Sequence, residues 1–452
     1  MTRSTVIADL ENDLIQVDCL EILATPEAQE RFSRDSYDYS PVLRQQLEGC
    51  QSELVVRPFT VEAVVAVAAS CSRYGVPLTL RGSGTGNYGQ CVPLRGGVVM
   101  LMGALRKIRH LDPATGVVTV ETGCLLRDLD QHLRSHGRQL RLLPSTWRSA
   151  SVGGFLAGGS GGIGSVRWGF LRDPGHLHAL EVITLQDPPQ QLQLNAVESE
   201  ALNHAYGTNG IITALSLATA PAVAWQEVSI DCRDWSQAVD LALRCVRAAI
   251  DLNLCSVLEQ PIVDLLPHWC GSPSGQHRLL LLVSPDGVGT LEHLAIETGA
   301  RIVFVGAEAD RGGTGLRELT WNHTTMHMRA VDPDWTYLQM LLPQPELPAL
   351  ATLKQYWGED LLWHLEAVNQ QGVQRLAALP IVRWRRKQSL EQLISHCQEL
   401  GAVVFNPHVI TVEDGGLGVI DGDQVAAKQR FDPHGLLNPG KLRGWSSRPA
   451  ND

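Results

Sequence analysis

The sequence predicts an α+β protein of more than one domain, and three observations carry that expectation. The chain has 452 residues, more than one ordinary hydrophobic core organises. Its first half sets three glycine-dense stretches, 81–90, 153–164 and 206–210, among apolar β-branched runs. Residues 223–405 then alternate helix-period and strand-like pieces, the pattern of a sheet covered by helices.

Composition narrows the classes. Hydrophobic residues make up 44% and charged residues 19%, the balance of a soluble globular chain. A net charge of -11 excludes nucleic-acid binding as the main business, because phosphate backbones demand a basic face. Arg383–Lys387, "RWRRK", is the one dense basic stretch; it would suit peripheral contact with a membrane or partner subunit, although membrane anchoring normally takes two signals. "MTRSTVIADLENDLIQ" lacks the apolar stretch of a signal peptide, and no run of about 18 apolar residues offers a membrane span. Ten cysteines, none in C-x-x-C, read as reduced thiols of a cytoplasmic protein.

In chain order, Thr60 starts a helix whose apolar face carries Val61, Val64, Val65 and Ala68, and "VPLTL" (76–80) is a strand. "RGSGTGNYGQ" follows, in which Gly84, Gly86 and Gly89 spell G-x-G-x-x-G. A dinucleotide fingerprint requires a helix to open within those glycines. Here Pro93, Gly96 and Gly97 intervene before the strand "VVMLM", so a Rossmann fold is excluded. The remaining loop lets backbone N–H groups converge on an anion, with Ser83, Thr85 and Asn87 adding short polar groups. Asp112–Gly116 reads as a hairpin turn before the strand Val117–Glu121, and Cys124–His136 as a helix with Leu125, Leu129 and Leu133 in step. From Pro144 the chain runs into seven glycines between Gly153 and Gly164, too many for packed helix or strand throughout, as though a flat ligand lay against backbone. "YGTNGIITALSLATAP" is a glycine turn feeding a strand.

The order of these motifs resembles the FAD-binding domain of the vanillyl-alcohol-oxidase / p-cresol-methylhydroxylase (PCMH-type) superfamily. "FDPHGLLNPGKL" (431–442) is similar to the D-P-x-G-x-x-N-P-G-K tail of its glycolate- and D-lactate-dehydrogenase members. The resemblance implies a two-part FAD-binding domain over 1–222 with a helical lead at 1–50. It also implies a substrate cap over 223–405 and a segment returning to the FAD domain over 406–452. It implies that Arg81, Gly82, Ser83, Gly84, Thr85, Gly86 and Asn87 wrap the pyrophosphate, and that Ser151, Val152, Gly153 and Gly154 lie along the pyrophosphate and ribityl chain. Val182 and Ile212 fall to the adenine side, Asn438 and Lys441 to the isoalloxazine end, and Gln90, Pro144, Gly158 and Gly210 complete the seat. Members with covalent flavin often carry a His near the first loop; Asn87 and Tyr88 stand there, which implies dissociable FAD.

In the middle of the chain "QEVSIDC", "HRLLLLVSP" and "RIVFVGAE" read as strands, 236–252 as a helix, and 389–401 as a helix capped by Ser389 and ended by Gly401. Oxidising a 2-hydroxy acid, the activity implied by the resemblance, takes a base for the hydroxyl proton, a hydride acceptor and a cation for the carboxylate. His323 and His408 are the candidate bases, Arg329 and Arg383 the candidate clamps. His323 and His327 share a helix face, but Thr324 stands where a zincin has Glu, and no H-x-G-D-G-N-x-H stretch occurs, so no metal is expected. "WHLEAV" sets His364 and Glu366 on one strand face, with a surface strand as the plain expectation. Electrons then pass to an external acceptor: a quinone, a cytochrome, an electron-transfer protein or oxygen. Two alternatives stand beside this one, a sugar, alditol or aldonolactone oxidase of the same fold, and a non-catalytic flavin-binding subunit of a multi-subunit oxidase.

Overall fold

The computed structural model describes residues 2–266, 275–308, 315–416 and 418–446. Cys270 and most of the polar tail "WSSRPAND" lie outside them.

Four strands, β1 (Leu20–Leu23), β2 (Leu54–Pro58), β3 (Leu78–Arg81) and β4 (Val98–Leu101), form the first sheet in the order β1-β2-β4-β3. β2 and β3 run parallel to β4, while β1 is antiparallel to β2. The strand β1 corrects the expected all-helical lead: Leu20–Leu23 extend the sheet edge. The helix Val61–Tyr74 links β2 to β3. Thr60 accepts the Ala63 N–H at its start, Gly75 ends it at φ 64°, and Val64, Val67, Ala68 and Cys71 are buried against the sheet. No helix follows the G-x-G-x-x-G glycines; residues 82–97 are loop up to β4, as the sequence indicated.

The second sheet comprises β5 (Ile108–Leu111), β6 (Val117–Glu121), β7 (Arg138–Leu140), β8 (Leu177–Ile183), β9 (Gln191–Asn195) and β10 (Ile211–Pro221). Its order is β5-β6-β10-β8-β9, with β7 paired to the far end of β10. β10 is central because ten of its eleven residues are buried or half-buried, an apolar run with a neighbour on each side. The β5–β6 turn forms as expected, with Asp112 Oδ1 accepting the Ala114 N–H at 2.9 Å and Gly116 at φ 71°.

Beyond β10 come β11 (Gln226–Cys232), β12 (Leu252–Leu258), β13 (His277–Val283), β14 (Arg301–Ala307), β15 (Trp335–Tyr337), β16 (Gln339–Leu341), β17 (Leu361–Leu362), β18 (His364–Gln370), β19 (Val373–Ala378), β20 (Ile381–Arg383) and β21 (Val403–Phe405). Eight of them build an antiparallel sheet in the order β14-β11-β13-β12-β18-β19-β16-β21, and β15-β20-β17 form a small one. Two expectations are corrected here. The helix read over 236–252 spans Trp235–Arg247, because Ala248 turns extended and Leu252–Leu258 is a fully buried strand between β13 and β18. The helix read from 389 begins at Lys387 with Arg386 at its cap, which puts Ser389 inside the first turn.

The chain ends by returning to the first sheet, where Leu437 bridges Leu78. Buried Lys428 fastens this return, donating to Thr208 O at 2.7 Å and Leu437 O at 2.6 Å beside the Asp432 carboxylate. The basic stretch 383–387 is no free patch. Arg383 pairs with Asp332, Arg385 with Asp360 at 2.9 Å and Lys387 with Glu391 at 3.8 Å, which offsets part of its charge. No helix among the described residues is long and apolar enough to cross a membrane.

Candidate functional site

The three glycine-dense stretches converge on one groove. Its first wall is the loop after β3, where Gly84 and Gly89 adopt φ of 70° and 69°, a left-handed conformation that side chains oppose. Its second wall is the helix Val152–Gly158, which Ser151 caps by accepting the Gly154 N–H at 3.3 Å. The two walls meet as backbone: a methyl group on Gly82 would overlap Ser151 Oγ and lie 3.4 Å from Gly154 Cα. A methyl on Gly153 would overlap Thr122, and one on Gly162 the carbonyl of Leu143. The glycine-dense segment thus includes one short helix, and glycine keeps its backbone against neighbouring chain. The third wall is Tyr206, Gly207, Gly210 and Ile212 at the entry to β10.

Fourteen of the residues expected to hold a cofactor line this groove: Gly82, Ser83, Gly84, Thr85, Gly86, Asn87 and Gln90 from the first loop, Pro144, Ser151, Gly153, Gly154 and Gly158 from the second wall, and Gly210 and Ile212 from the third. Five do not. Val152 and Val182 point into the core, each 1% exposed. Arg81 lies behind the loop, donating to the carbonyls of Phe32 and Arg34. Asn438 donates to Gln90 O at 2.8 Å and Tyr206 O at 2.7 Å, clipping two walls together from behind. Lys441 is fully buried on Gly89 O. These last three shape the groove without facing it.

The fourth side is a roof made of Trp321, Asn322, His323 and Gln339 from the second half of the chain and Tyr39 from the N-terminal lead. Neutral hydrogen bonds tie it to the loop. Asn87 Nδ2 donates to Tyr337 Oη at 2.7 Å, Tyr88 Oη donates to Gln339 Oε1 at 3.0 Å, and Gln339 Nε2 donates to Asn322 Oδ1 at 3.4 Å. Trp321 is held at φ 53°, its N–H donating at 2.8 Å to Glu366, which with His364 and Ser256 forms a fully buried cluster. His364 and Glu366 are therefore core residues, contrary to the surface strand expected.

Of the four candidate catalytic side chains, the structure brings one to the groove. His323 lines it, with Nδ1 3.3 Å from Glu318 Oε2, and Arg148 holds the other oxygen of that carboxylate at 2.6 Å. Burial pushes the His323 imidazole below its ordinary pKa, and the Glu318 charge pulls it partly back. His408 is walled off: Nδ1 lies 2.8 Å from Ser40 Oγ and Nε2 2.9 Å from Tyr337 O, and burial pushes it down to about 4. Arg329 donates to Pro333 O at 2.9 Å and Trp335 O at 2.6 Å, while Arg383 pairs with Asp332 and stacks on Trp335. Neither lines the groove, so neither is a clamp for a ligand in it. Among its described lining residues there is no Asp, Glu, Lys or Arg. Among the described residues no three His, Cys, Asp or Glu side chains gather as metal ligands. The residues that sequence reasoning missed are Tyr39, Gln339, Glu318 and Arg148, which come from four separate segments.

A groove walled by close-approach backbone and short hydroxyl side chains fits a long flat cofactor with a pyrophosphate, because only such a wall lets N–H donors reach it. Known proteins agree. Residues 52–187 match the FAD binding domain family. The chain is 25% identical over 422 residues to the glycolate oxidase subunit GlcD of Escherichia coli (strain K12), covering 86% of this chain and 83% of that protein. It is 31% identical over 179 residues to a D-lactate dehydrogenase of Anaerostipes hadrus, a match spanning 38% of this chain and 37% of that one. A solved alkyldihydroxyacetonephosphate synthase shares the fold with a TM-score of 0.72 at 15% identity, over 98% of this chain and 86% of that one. Residues 52–187 are an FAD binding domain within a chain of the PCMH-type fold, an FAD-dependent oxidoreductase with FAD as its cofactor.

Proposed function

We propose that the chain is an FAD-dependent dehydrogenase of a small 2-hydroxy acid of the glycolate or D-lactate class, with His323 taking the hydroxyl proton. The observation that carries this reading is His323 in the roof, opposite the glycine walls and backed by the Glu318 carboxylate. The relatives named for glycolate and D-lactate support this substrate class. In this reading 1–222 is the FAD-binding unit, 223–405 the substrate cap and 406–452 the segment that returns to hold the first loop.

The groove-lining residues of 82–90 and 151–158 would hold the FAD pyrophosphate and ribityl chain, with Gly210 and Ile212 on the adenine side. Bound there without a covalent link, FAD supplies the hydride acceptor. His323 accepts the hydroxyl proton at Nε2, the nitrogen opposite the one facing Glu318, and the Glu318 carboxylate 3.3 Å from Nδ1 offsets the charge the imidazole gains. With Arg329 and Arg383 outside the groove, the amides of Asn322 and Gln339 and the hydroxyls of Tyr39 and Tyr88 orient the substrate. The roof covers the reacting carbon from water. Electrons leave to an external acceptor (a quinone, a cytochrome, an electron-transfer protein or oxygen), and the relative named as a subunit supports a partner subunit as the route.

One observation favours a second reading. A groove whose described lining lacks any cation suits an uncharged carbinol, a sugar, alditol or aldonolactone, at least as well as a carboxylate. Anaerobic mixing of the flavoprotein with glycolate, both lactates, D-2-hydroxyglutarate and a set of alditols and sugars separates the two. Bleaching of the flavin band by one hydroxy-acid enantiomer is the expected result, and bleaching by polyols alone would move the assignment. A flavin that dithionite reduces and no substrate does would make the chain a non-catalytic flavin subunit.

A further inference from the structure

Behind the first glycine loop, on the side away from the groove, lies a small buried cluster of charges. Arg81 is 9% exposed and Lys441 0%. The Arg81 guanidinium sits directly under Gly84, where it would overlap a methyl group on that residue. Its partners are the carbonyls of Phe32 and Arg34 and, at 3.3 Å, the Cys91 sulfur. Lys441 Nζ donates to Gly89 O. The acid that faces both cations is Asp35, whose Oδ1 accepts the Tyr37 N–H at 3.1 Å and whose Oδ2 lies 3.9 Å from the Cys91 sulfur. The residue after Asp35, Ser36, is tied to the loop, donating its N–H to Gly86 O at 2.8 Å.

Two cations against one carboxylate leave the cluster with an excess positive charge out of water. Buried charge of that kind is costly unless something opposite in sign compensates it. Both signs of incomplete compensation are present: burial pushes Asp35 up to about 6 and Lys441 down to about 8. The loop that separates the cluster from the groove is thin, because Gly82, Gly84, Gly86 and Gly89 carry no side chains to widen it. Across such a thickness, in a medium of low dielectric, a unit charge acts strongly on an anion on the other side.

We propose that Arg81 and Lys441 neutralise the FAD pyrophosphate through the loop backbone, without touching it, and that Asp35 sets how tightly the cofactor is held by offsetting one of the two charges. The groove's described lining supplies no cation, so the charge that a pyrophosphate needs comes from behind. The placement of FAD along the glycine walls underlies this step.

The test is the affinity of the apoprotein for FAD, followed by quenching of flavin fluorescence, with riboflavin as a probe that lacks the phosphates. Asp35→Asn is expected to tighten FAD about three- to tenfold and Lys441→Met to weaken it about tenfold or more, with riboflavin affinity unchanged within about twofold in both. The gain in affinity on losing Asp35 is the decisive sign, since a merely structural acid would weaken binding when removed. FAD affinity unchanged or lowered in Asp35→Asn, or riboflavin shifting with FAD, overturns the proposal. Should Lys441→Met fail to fold, Lys441→Arg keeps the charge and is expected to hold FAD within about threefold; a larger loss counts against the proposal. Ala157→Phe, which fills the groove at the second wall, tests the seat separately. If that variant binds FAD like the native chain, the seat is misplaced; if it loses FAD while Asp35→Asn gains nothing, only the charge proposal fails.

Discussion

His323 Nδ1 stands 3.3 Å from Glu318 Oε2, and both side chains are largely buried where the roof of the groove meets the glycine-rich half of the chain. Burial alone lowers the imidazole pKa, and the carboxylate raises it again. A base works only when deprotonated, so the low-pH limb of substrate-dependent flavin reduction reports this pKa. Glu318→Gln removes the raising influence, and the limb is expected to move to lower pH while the rate falls about tenfold through loss of the oriented carboxylate. His323→Gln is expected to lower the rate by about 10²-fold or more with FAD uptake unchanged. Rapid-mixing absorbance across pH checks both. A limb that stays in place in Glu318→Gln would disconnect the pair from catalysis.

Arg383 gives the opposite expectation. Its guanidinium pairs with Asp332 and stacks 4.0 Å from the Trp335 ring centre, at the end of the central strand of the small sheet. Arg383→Ala should cost about 1 kcal/mol of stability or less, as a partly exposed pair does, and leave substrate-dependent flavin reduction within about twofold. Thermal unfolding and the same mixing experiment read the two effects independently. A hundredfold loss of rate would restore Arg383 as a clamp reached through a different closure of the cap.

The contrast between these residues shows what sequence could and could not reveal. The glycine walls were legible because backbone that must come close to something leaves a compositional trace: Gly84, Gly153 and Gly162 cannot carry a Cβ where they stand. The roof was legible only where chemistry clustered in one stretch, as at Trp321–His323. Gln339 and Tyr39 reach the groove from segments that carry no motif, and folding alone brings them together. The resemblance placed Val182 and Ile212 alike; they pair across β8 and β10, yet only Ile212 lines the groove. His323 and His408 looked equivalent because a sequence does not display burial. The resemblance put Arg81 on the pyrophosphate and Lys441 at the isoalloxazine end, whereas their side chains donate to Arg34 O and Gly89 O behind the first loop, since a motif names a residue without the direction of its side chain.

Gly162 tests the reading of the walls directly. Its N–H donates to Ser165 Oγ at 3.0 Å, and an added methyl would overlap the Leu143 carbonyl, which is backbone fixed by reciprocal bonds with Ile163 at 2.8 and 3.0 Å. Neither side can yield cheaply. Gly162→Ala is expected to cost about 2 kcal/mol and to weaken FAD uptake together with it. Gly103→Ala is the control, because nothing lies within 4 Å of a methyl group there. Equal unfolding temperatures for the two variants would contradict the close-packed wall.

His408 predicts an acid limb of stability. Between Ser40 Oγ and Tyr337 O it stays neutral in the folded chain down to about pH 4, because burial opposes the charge, whereas an unperturbed imidazole binds its proton near 6.5. Between those two values the unfolded chain holds the extra proton, so stability is fully present above about 6.5 and declines as the pH falls toward about 4. The drop attributable to this one residue is on the order of 3 kcal/mol. His408→Gln removes the titration and keeps a side chain able to reach one partner. Its unfolding free energy is expected to lie below that of the native chain at pH 7.5 and to depend less on pH between 6.5 and 4. Denaturant unfolding at several pH values measures both slopes on the same footing. Parallel slopes for the two proteins would mean that His408 is charged inside the fold, and the buried contact with the Tyr337 carbonyl would then have to carry an imidazolium.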